Sequence, residues 1–459
     1  MFEILPSVKK RVLFINVADP WLTNGGDRPS LGTLYLATWL HYTNSAECSV
    51  IDLNHYSYKE LEERITDFKP DFIGISLTTP QYEESLKVAK YIKERFNIII
   101  IAGGPHTTAM KNVPRVPEVM PKEYFDYIVI GIGEKVLENI CKEGLPKGRI
   151  IYGEEIRDKN LDWLPSADRS FVDMDKYSLK ILGKKATPIL TSFGCPYHCV
   201  FCSEPILNKL FKSYSPKLVV KEMEQLNKDY GVESFIIYDD VFSINVKRAI
   251  AIADLMIERQ LPFTYRCTTR ATDFIRSNEL SKKLKDSGCV EVCIGTESGD
   301  DDILKTSDKG MSIENNAVGL KKVKDEGIRC LTYMITGLPG CSKESEQKSL
   351  DFILENEPDE VGWYLLAPFP STPLWVYRDK FNLEIFEEEI IKNNWDVAQC
   401  KADNDSLTCY VDYSKGGGLN RYEIKDLWIK MRNQLDKRQK ERGYSGIQES
   451  DIKVMDVVK

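Results

Sequence analysis

The chain has 459 residues, 42% of them hydrophobic and 29% charged, with a formal net charge of −8. That composition describes an ordinary globular protein of two or three domains and argues against a nucleic acid as the main partner. Four histidines in all exclude a histidine-rich metal site, and twelve cysteines read as reduced thiols and metal ligands rather than a disulfide framework. No charged-then-apolar signal pattern opens the chain and no apolar run reaches membrane-spanning length, so a cytoplasmic location without a membrane span is expected.

In chain order, residues 11–141 alternate short apolar runs with amphipathic stretches. Strands are predicted at Arg11–Asn16, Cys48–Asp52, Phe72–Ser76, Ile98–Ala102 and Tyr127–Ile130. Helices are predicted at Leu31–Tyr42, Tyr58–Asp67, Tyr82–Phe96 and Lys135–Cys141. The alternation predicts an α/β fold with a doubly wound parallel sheet, a Rossmann-like first domain over 1–143. Its ligand would bind beyond the carboxyl ends of the strands, where the residues are small, polar or glycine.

Residues 144–186 carry many charges with little periodicity and read as a linker, with one ordered patch at Leu161–Asp168. A second alternation follows. Its predicted strands are Ile189–Ser192, Ser234–Tyr238, Phe263–Cys267, Val290–Gly295, Arg329–Ile335 and Glu360–Leu366. Six β/α units are too few to close an eight-stranded barrel, so a partial, open-sided (β/α)6 barrel is expected over 187–374. Beyond it, Leu383–Asn394 and Arg421–Arg442 look amphipathic, which predicts a helical C-terminal domain over 375–459.

The most informative run follows the first barrel strand: Gly194-Cys195-Pro196-Tyr197-His198-Cys199-Val200-Phe201-Cys202. Its spacing is Cys-x3-Cys-x2-Cys. Three thiolates can hold three irons of a 4Fe–4S cluster, and without a fourth cysteine nearby one iron stays open to a small molecule. Further motifs close the later strands one by one: Tyr238-Asp239-Asp240-Val241-Phe242, Arg266 with Arg270, Gly295-Thr296-Glu297-Ser298-Gly299, Gly337-Leu338-Pro339-Gly340 and Ala367-Pro368-Phe369-Pro370-Ser371-Thr372-Pro373-Leu374. In this order they resemble the radical SAM superfamily. The resemblance implies a cluster on Cys195, Cys199 and Cys202 that chelates S-adenosylmethionine (SAM), with Phe201, Asp239, Arg270, Glu297 and Gly337 around that ligand. The acidic pair Asp239-Asp240 fits either a ligand contact or a helix cap. Cys267, Cys289, Cys293 and Cys330 fall in apolar strands, where cysteine is a common small core residue.

In the first domain, Asp27-Arg28-Pro29-Ser30-Leu31-Gly32-Thr33, Ile75-Ser76-Leu77-Thr78-Thr79, Ala102-Gly103-Gly104-Pro105-His106-Thr107 and Gly131-Ile132-Gly133-Glu134 resemble cobalamin-binding domains attached to radical SAM barrels. The implied cobalamin contacts are Trp21, Thr78, Thr79, Gly103, Gly104, Pro105, His106, Thr107, Gly131 and Glu134. Glycines at 103 and 104 would admit a flat corrin or its nucleotide tail, and the threonines offer hydroxyls. The competing reading is a domain that has kept the shape without the cofactor. The Asp-x-His-x-x-Gly motif that supplies a cobalt ligand in many cobalamin proteins is absent; the corresponding loop reads Ala18-Asp19-Pro20-Trp21-Leu22-Thr23-Asn24. Trp21 or a neighbour is therefore expected to cover the lower face of the corrin.

Together the resemblances, over about residues 11–375, imply a cobalamin-dependent radical SAM methyltransferase. It would methylate an unactivated carbon through a 5′-deoxyadenosyl radical and methylcobalamin, which makes it a metal-binding transferase. The alternative keeps the radical without methyl transfer: cyclisation, carbon–carbon bond formation or oxidation. An electron donor such as flavodoxin or ferredoxin is implied. The substrate, small molecule, peptide or protein, is not specified, and no catalytic side chain is assigned.

Overall fold

The computed structural model describes residues 9–19, 25–112, 120–207, 210–393 and 408–441. The chain divides into two units, residues 1–157 with 163–177, and residues 158–162 with 178–459. No helix among the described residues is long and apolar enough to cross a membrane.

The first unit is built on a six-stranded sheet of order β2-β1-β3-β4-β5-β6. The strands are β1 (Lys10–Asn16), β2 (Ala46–Asp52), β3 (Phe72–Ser76), β4 (Ile99–Gly103), β5 (Tyr127–Ile130) and β6 (Ile150–Tyr152). All pair in parallel. A parallel sheet is covered on both faces, which is why its strands read as near-continuous apolar runs; Leu13, Ile15, Ile73 and Ile100 have no exposed surface. The helices at Leu31–Tyr42, Tyr58–Phe68, Tyr82–Lys93 and Gly133–Glu143 fall where the periodicity places them. Within the segment read as a linker, Ile150–Tyr152 forms the sixth strand beside β5. Three residues at a sheet edge leave too short a pattern to register as a strand.

The second unit carries a seven-stranded sheet of order β15-β14-β13-β12-β11-β8-β7. A short β7 (Lys180–Ile181) pairs antiparallel with the start of β8 (Lys184–Ile189). After β8, the two-residue strands β9 (Ser192–Phe193) and β10 (Lys212–Ser213) pair with one another, so the first barrel strand ends earlier than expected. The amides of Thr191 and Ser192, which a longer strand would place in the sheet, donate instead to the Asp239 carboxylate. β7 pairs with β8 at Lys184 and Lys185, and the Ala186 amide reaches the Leu179 carbonyl at 2.9 Å. The remaining strands, β11 (Ser234–Ile237), β12 (Thr264–Thr269), β13 (Cys289–Glu297), β14 (Arg329–Thr336) and β15 (Glu360–Leu365), run parallel to β8 in chain order. Six parallel strands, β8 and β11 to β15, form the partial barrel, with the short β7 flanking β8 at one edge and β15 at the other.

Of the C-terminal segment, β16 (Glu384–Ile385) pairs with β17 (Val411–Asp412), and helices occupy Glu387–Lys392 and Arg421–Glu441. The long helix lies along the edge strand β15, where the Trp428 indole donates to the Trp363 carbonyl at 3.0 Å.

Glu346, on the helix Lys343–Asn356, is buried and accepts hydrogen bonds from the Thr336 hydroxyl at 2.7 Å and the Cys341 thiol at 3.4 Å. Burial pushes its carboxyl up to about 7, against the opposing pull of those two bonds. The folded chain therefore holds this proton more tightly than the unfolded one, whose glutamates titrate near about 4.3. The Glu346 contribution is fully favourable below that value and is lost as pH rises through about 7. E346Q removes the ionisation, so its melting temperature relative to wild type should climb between about pH 5 and pH 8. A pH-independent difference would rule Glu346 out as the source.

Candidate active site

Strands of one parallel sheet present all their carboxyl ends on the same side, and here those ends surround a cavity of about 270 Å³. Cys195, Cys199 and Cys202 all line it. The loop that bears them is held through its backbone: Val200 donates to the Ser307 carbonyl at 3.0 Å, and its own carbonyl accepts from the Leu374 amide at 2.8 Å. Leu374 belongs to the proline-rich motif after β15, which therefore acts as a brace for the cysteine loop.

The fit to a cluster rests on the thiols themselves. Burial pushes Cys195 up to about 11, with Asp240 and Cys199 adding to the rise, and burial, Glu204 and Cys199 raise Cys202 well above the usual thiol range. Thiolates at Cys195 and Cys202 would need a cationic group to hold them ionised, which iron supplies. No three His, Cys, Asp or Glu side chains among the described residues converge on a single ion. A cubane asks for something else, since each thiolate binds a separate iron.

Phe201, Asp239, Arg270 and Glu297 also line the cavity; Gly337 is not among the lining residues. Its carbonyl accepts from the Tyr413 hydroxyl at 2.9 Å, and its Cα faces Ile424, Leu366 and Val411. Ile335, Leu366, Ala367 and Phe369 form that wall instead. Arg270 is buried, with its guanidinium 3.6 Å above the Tyr197 ring, and donates to the Lys309 carbonyl. Its Nε is buried without a hydrogen-bond partner, a donor left over for an anionic group such as a carboxylate. Both oxygens of Asp239 accept hydrogen bonds from Thr191 and Ser192. Asp240 accepts from the Gly194 amide at 3.1 Å and also lines the cavity.

Sequence reasoning missed Lys309. Its ammonium lies 2.6 Å from Glu297 Oε1, both side chains being buried, and 5.9 Å from the Phe201 ring centre. No motif flags it; it is brought in by the turn that follows the short helix Asp301–Thr306. Glu297 adopts a left-handed backbone with φ of 67° and folds back over Gly295. A Cβ at 295 would run into Glu297 Oε1 and lie 2.9 Å from Lys309 Nζ, so the first glycine of Gly-x-Glu-Ser-Gly makes room for the ion pair. Arg266, deeper in the wall, is paired with Glu291 at 3.4 Å, and Glu291 also bonds Arg329.

In the first unit, the expected cobalamin contacts divide into two groups. Gly103, Gly104 and Gly131 are half-exposed at the ends of β4 and β5, and Pro105 is exposed beside them. A Cβ at Gly104, whose φ is 101°, would collide with the Leu77 backbone, so this rim stays free of side chains. A bare backbone shelf at strand ends fits a flat group. Thr79, His106 and Thr107 are buried and turn inward. Thr107 donates to the Gly104 and Val129 carbonyls, and Thr79 lies 3.2 Å from His106 Nδ1. Burial lowers His106 to about 3, so it stays neutral. The Thr78 hydroxyl donates to Gln81, whose amide reaches the Val17 carbonyl at 2.8 Å. Gln81 thereby ties the ends of β1 and β3 together, a role the sequence reading did not assign. Glu134 is half-buried, and its carboxyl is raised by burial. Trp21 lies outside the described residues.

Residues 189–353 match the family described as the radical SAM superfamily, and residues 22–141 match the B12-binding domain. An uncharacterised methyltransferase of Pyrococcus horikoshii is 28% identical over 393 residues, covering 81% of this chain and 82% of its own. The anaerobic magnesium-protoporphyrin IX monomethyl ester cyclase of Rubrivivax gelatinosus is 29% identical over 406 residues, 83% of this chain and 72% of its own. Among solved structures, the radical S-adenosylmethionine methyltransferase TsrM of Kitasatospora setae, with cobalamin and a 4Fe–4S cluster bound, is similar with a TM-score of 0.67 at 20% identity. That likeness covers 82% of this chain and 75% of TsrM, and it bears on the fold.

Gly295→Ala should displace the Glu297–Lys309 pair at a stability cost of about 1–3 kcal/mol, as overpacking does. SAM affinity, measured by equilibrium binding to reconstituted protein, should fall with it. Unchanged affinity would show that the pair takes no part in ligand binding.

Proposed function

The chain belongs to the radical SAM superfamily, in the branch that carries a B12-binding domain, and on that basis we propose that it methylates an unactivated carbon. The radical SAM domain implies a 4Fe–4S cluster and SAM, and the B12-binding domain implies cobalamin. When bound, these cofactors supply a 5′-deoxyadenosyl radical and a transferable methyl group. The observation that carries the proposal is the union, in one chain, of a three-thiol cavity wall at the ends of parallel strands and a separate B12-binding domain.

The protein's own contribution is placement. Cys195, Cys199 and Cys202 would hold the cluster. Arg270, with its spare Nε, and Lys309, beside Glu297, would take the charged methionine end of SAM, and Phe201 would flank the nucleoside. Ile335, Leu366, Ala367 and Phe369 would present an apolar wall that keeps water from the reacting carbon. Gly103, Gly104, Pro105 and Gly131 would receive the flat cofactor of the first domain. A small electron carrier, flavodoxin or ferredoxin in kind, would supply the reductant.

A second reading has its own support. The cyclase relative, aligned over 83% of this chain, has a name that describes ring formation rather than methyl transfer. Product analysis separates the two. Methylation consumes two SAM per turnover and yields both 5′-deoxyadenosine and S-adenosylhomocysteine, whereas the cyclase-like reaction yields 5′-deoxyadenosine alone. Anaerobic protein reconstituted with iron, sulfide and cobalamin should retain a cobalamin absorbance band after desalting and form both products. Retained SAM cleavage without S-adenosylhomocysteine would replace the first reading with the second.

A further inference from the structure

The approach to the cysteine loop is gripped in an unusual way. Asp239, at the end of β11, is 3% exposed, and its carboxylate accepts four hydrogen bonds. Oδ1 takes the backbone amides of Thr191 and Ser192 at 2.6 and 2.9 Å. Oδ2 takes their two hydroxyls, each at 2.5 Å. Its neighbour Asp240 takes the Gly194 amide. Two adjacent carboxylates thus bind three of the four backbone N–H groups in the run 191–194 that leads into Cys195.

The other side of the same residue is held as well. The buried guanidinium of Arg248, from the helix Val246–Glu258, donates to the Thr191 carbonyl at 2.6 Å and to the Tyr214 carbonyl at 2.9 Å. The Tyr214 amide returns a bond to the Thr191 carbonyl at 3.0 Å. A charge-assisted bond on each side, in a dry environment, holds a backbone far more rigidly than a neutral turn would. The pair is also electrically balanced, one buried carboxylate facing one buried guanidinium across Thr191.

We propose that Asp239 is a positioning residue for the cluster: with Arg248 it clamps Thr191 and Ser192, fixing the direction in which the chain delivers Cys195, Cys199 and Cys202. It does not touch SAM, because its acceptor sites are filled by the protein. The proposal rests on those cysteines being the cluster ligands. Cys199→Ala tests that assignment separately, since the iron content of this variant falls to background whatever Asp239 does.

D239N is the direct test, because an amide can offer one acceptor oxygen where the carboxylate offers two. With far-UV circular dichroism unchanged, iron loss to a chelator and SAM cleavage should each worsen by about 10- to 100-fold, the range typical of outer-shell metal-site changes. The electron paramagnetic resonance spectrum of the reduced cluster should shift, while cobalamin retention stays at its wild-type value. Thr191→Val, which removes one hydroxyl bond, should move the same readouts in the same direction by less, and Thr191→Ser should restore them. Should D239N not fold, this valine–serine pair carries the test. Wild-type resonance and iron retention, with SAM affinity lowered instead, would make Asp239 a direct ligand contact and overturn the proposal.

Discussion

Parallel pairing imposes one constraint from which the rest of this chain's chemistry follows. Strands that run the same way cannot be joined by tight turns, so every crossover returns through a helix, and every loop that follows a strand emerges at the same end. In the second unit that end receives, from successive strands, three thiols, two carboxylates, a guanidinium, a Glu–Lys pair and a proline-rich brace. None of these groups is near the others in sequence. The sheet register, unbroken from β8 to β15 save for two local shifts, brings them to one cavity.

Within that frame, the polar groups sort by what they are already bonded to. Asp239 accepts from Thr191 and Ser192, Thr107 donates to the backbone, and Thr79 pairs with His106. Arg270 retains a donor with nothing in the protein to receive it. Glu297 and Lys309 neutralise one another at the cavity wall. A ligand carrying both an ammonium and a carboxylate could exchange partners with such a pair without leaving a buried charge uncompensated. The same accounting, applied to Arg266, finds its charge already shared with Glu291 at the barrel's inner wall.

Much of this was legible in the sequence, for identifiable reasons. The cysteine spacing is a local signal, and thiolate chemistry allows few other uses for it. The strands of both sheets announce themselves because burial on two faces demands unbroken apolar runs, and Phe72–Ser76 and Tyr127–Ile130 match the expected limits residue for residue. What was hidden depends on partners distant in sequence. Lys309 looks like any surface lysine until the chain turns it toward Glu297. Asp239 fitted either a ligand contact or a helix cap, and nothing local reveals its bonds to Thr191 and Ser192.

The open sheet has one further consequence. β15 ends the barrel on one side, and its unpaired backbone would invite another chain to add a strand. Residues 411–441 cover it: Val411 and Ile424 pack behind Gly337, and the Trp428 indole occupies the Trp363 carbonyl. The Trp428 indole thus occupies an acceptor that an added strand would need.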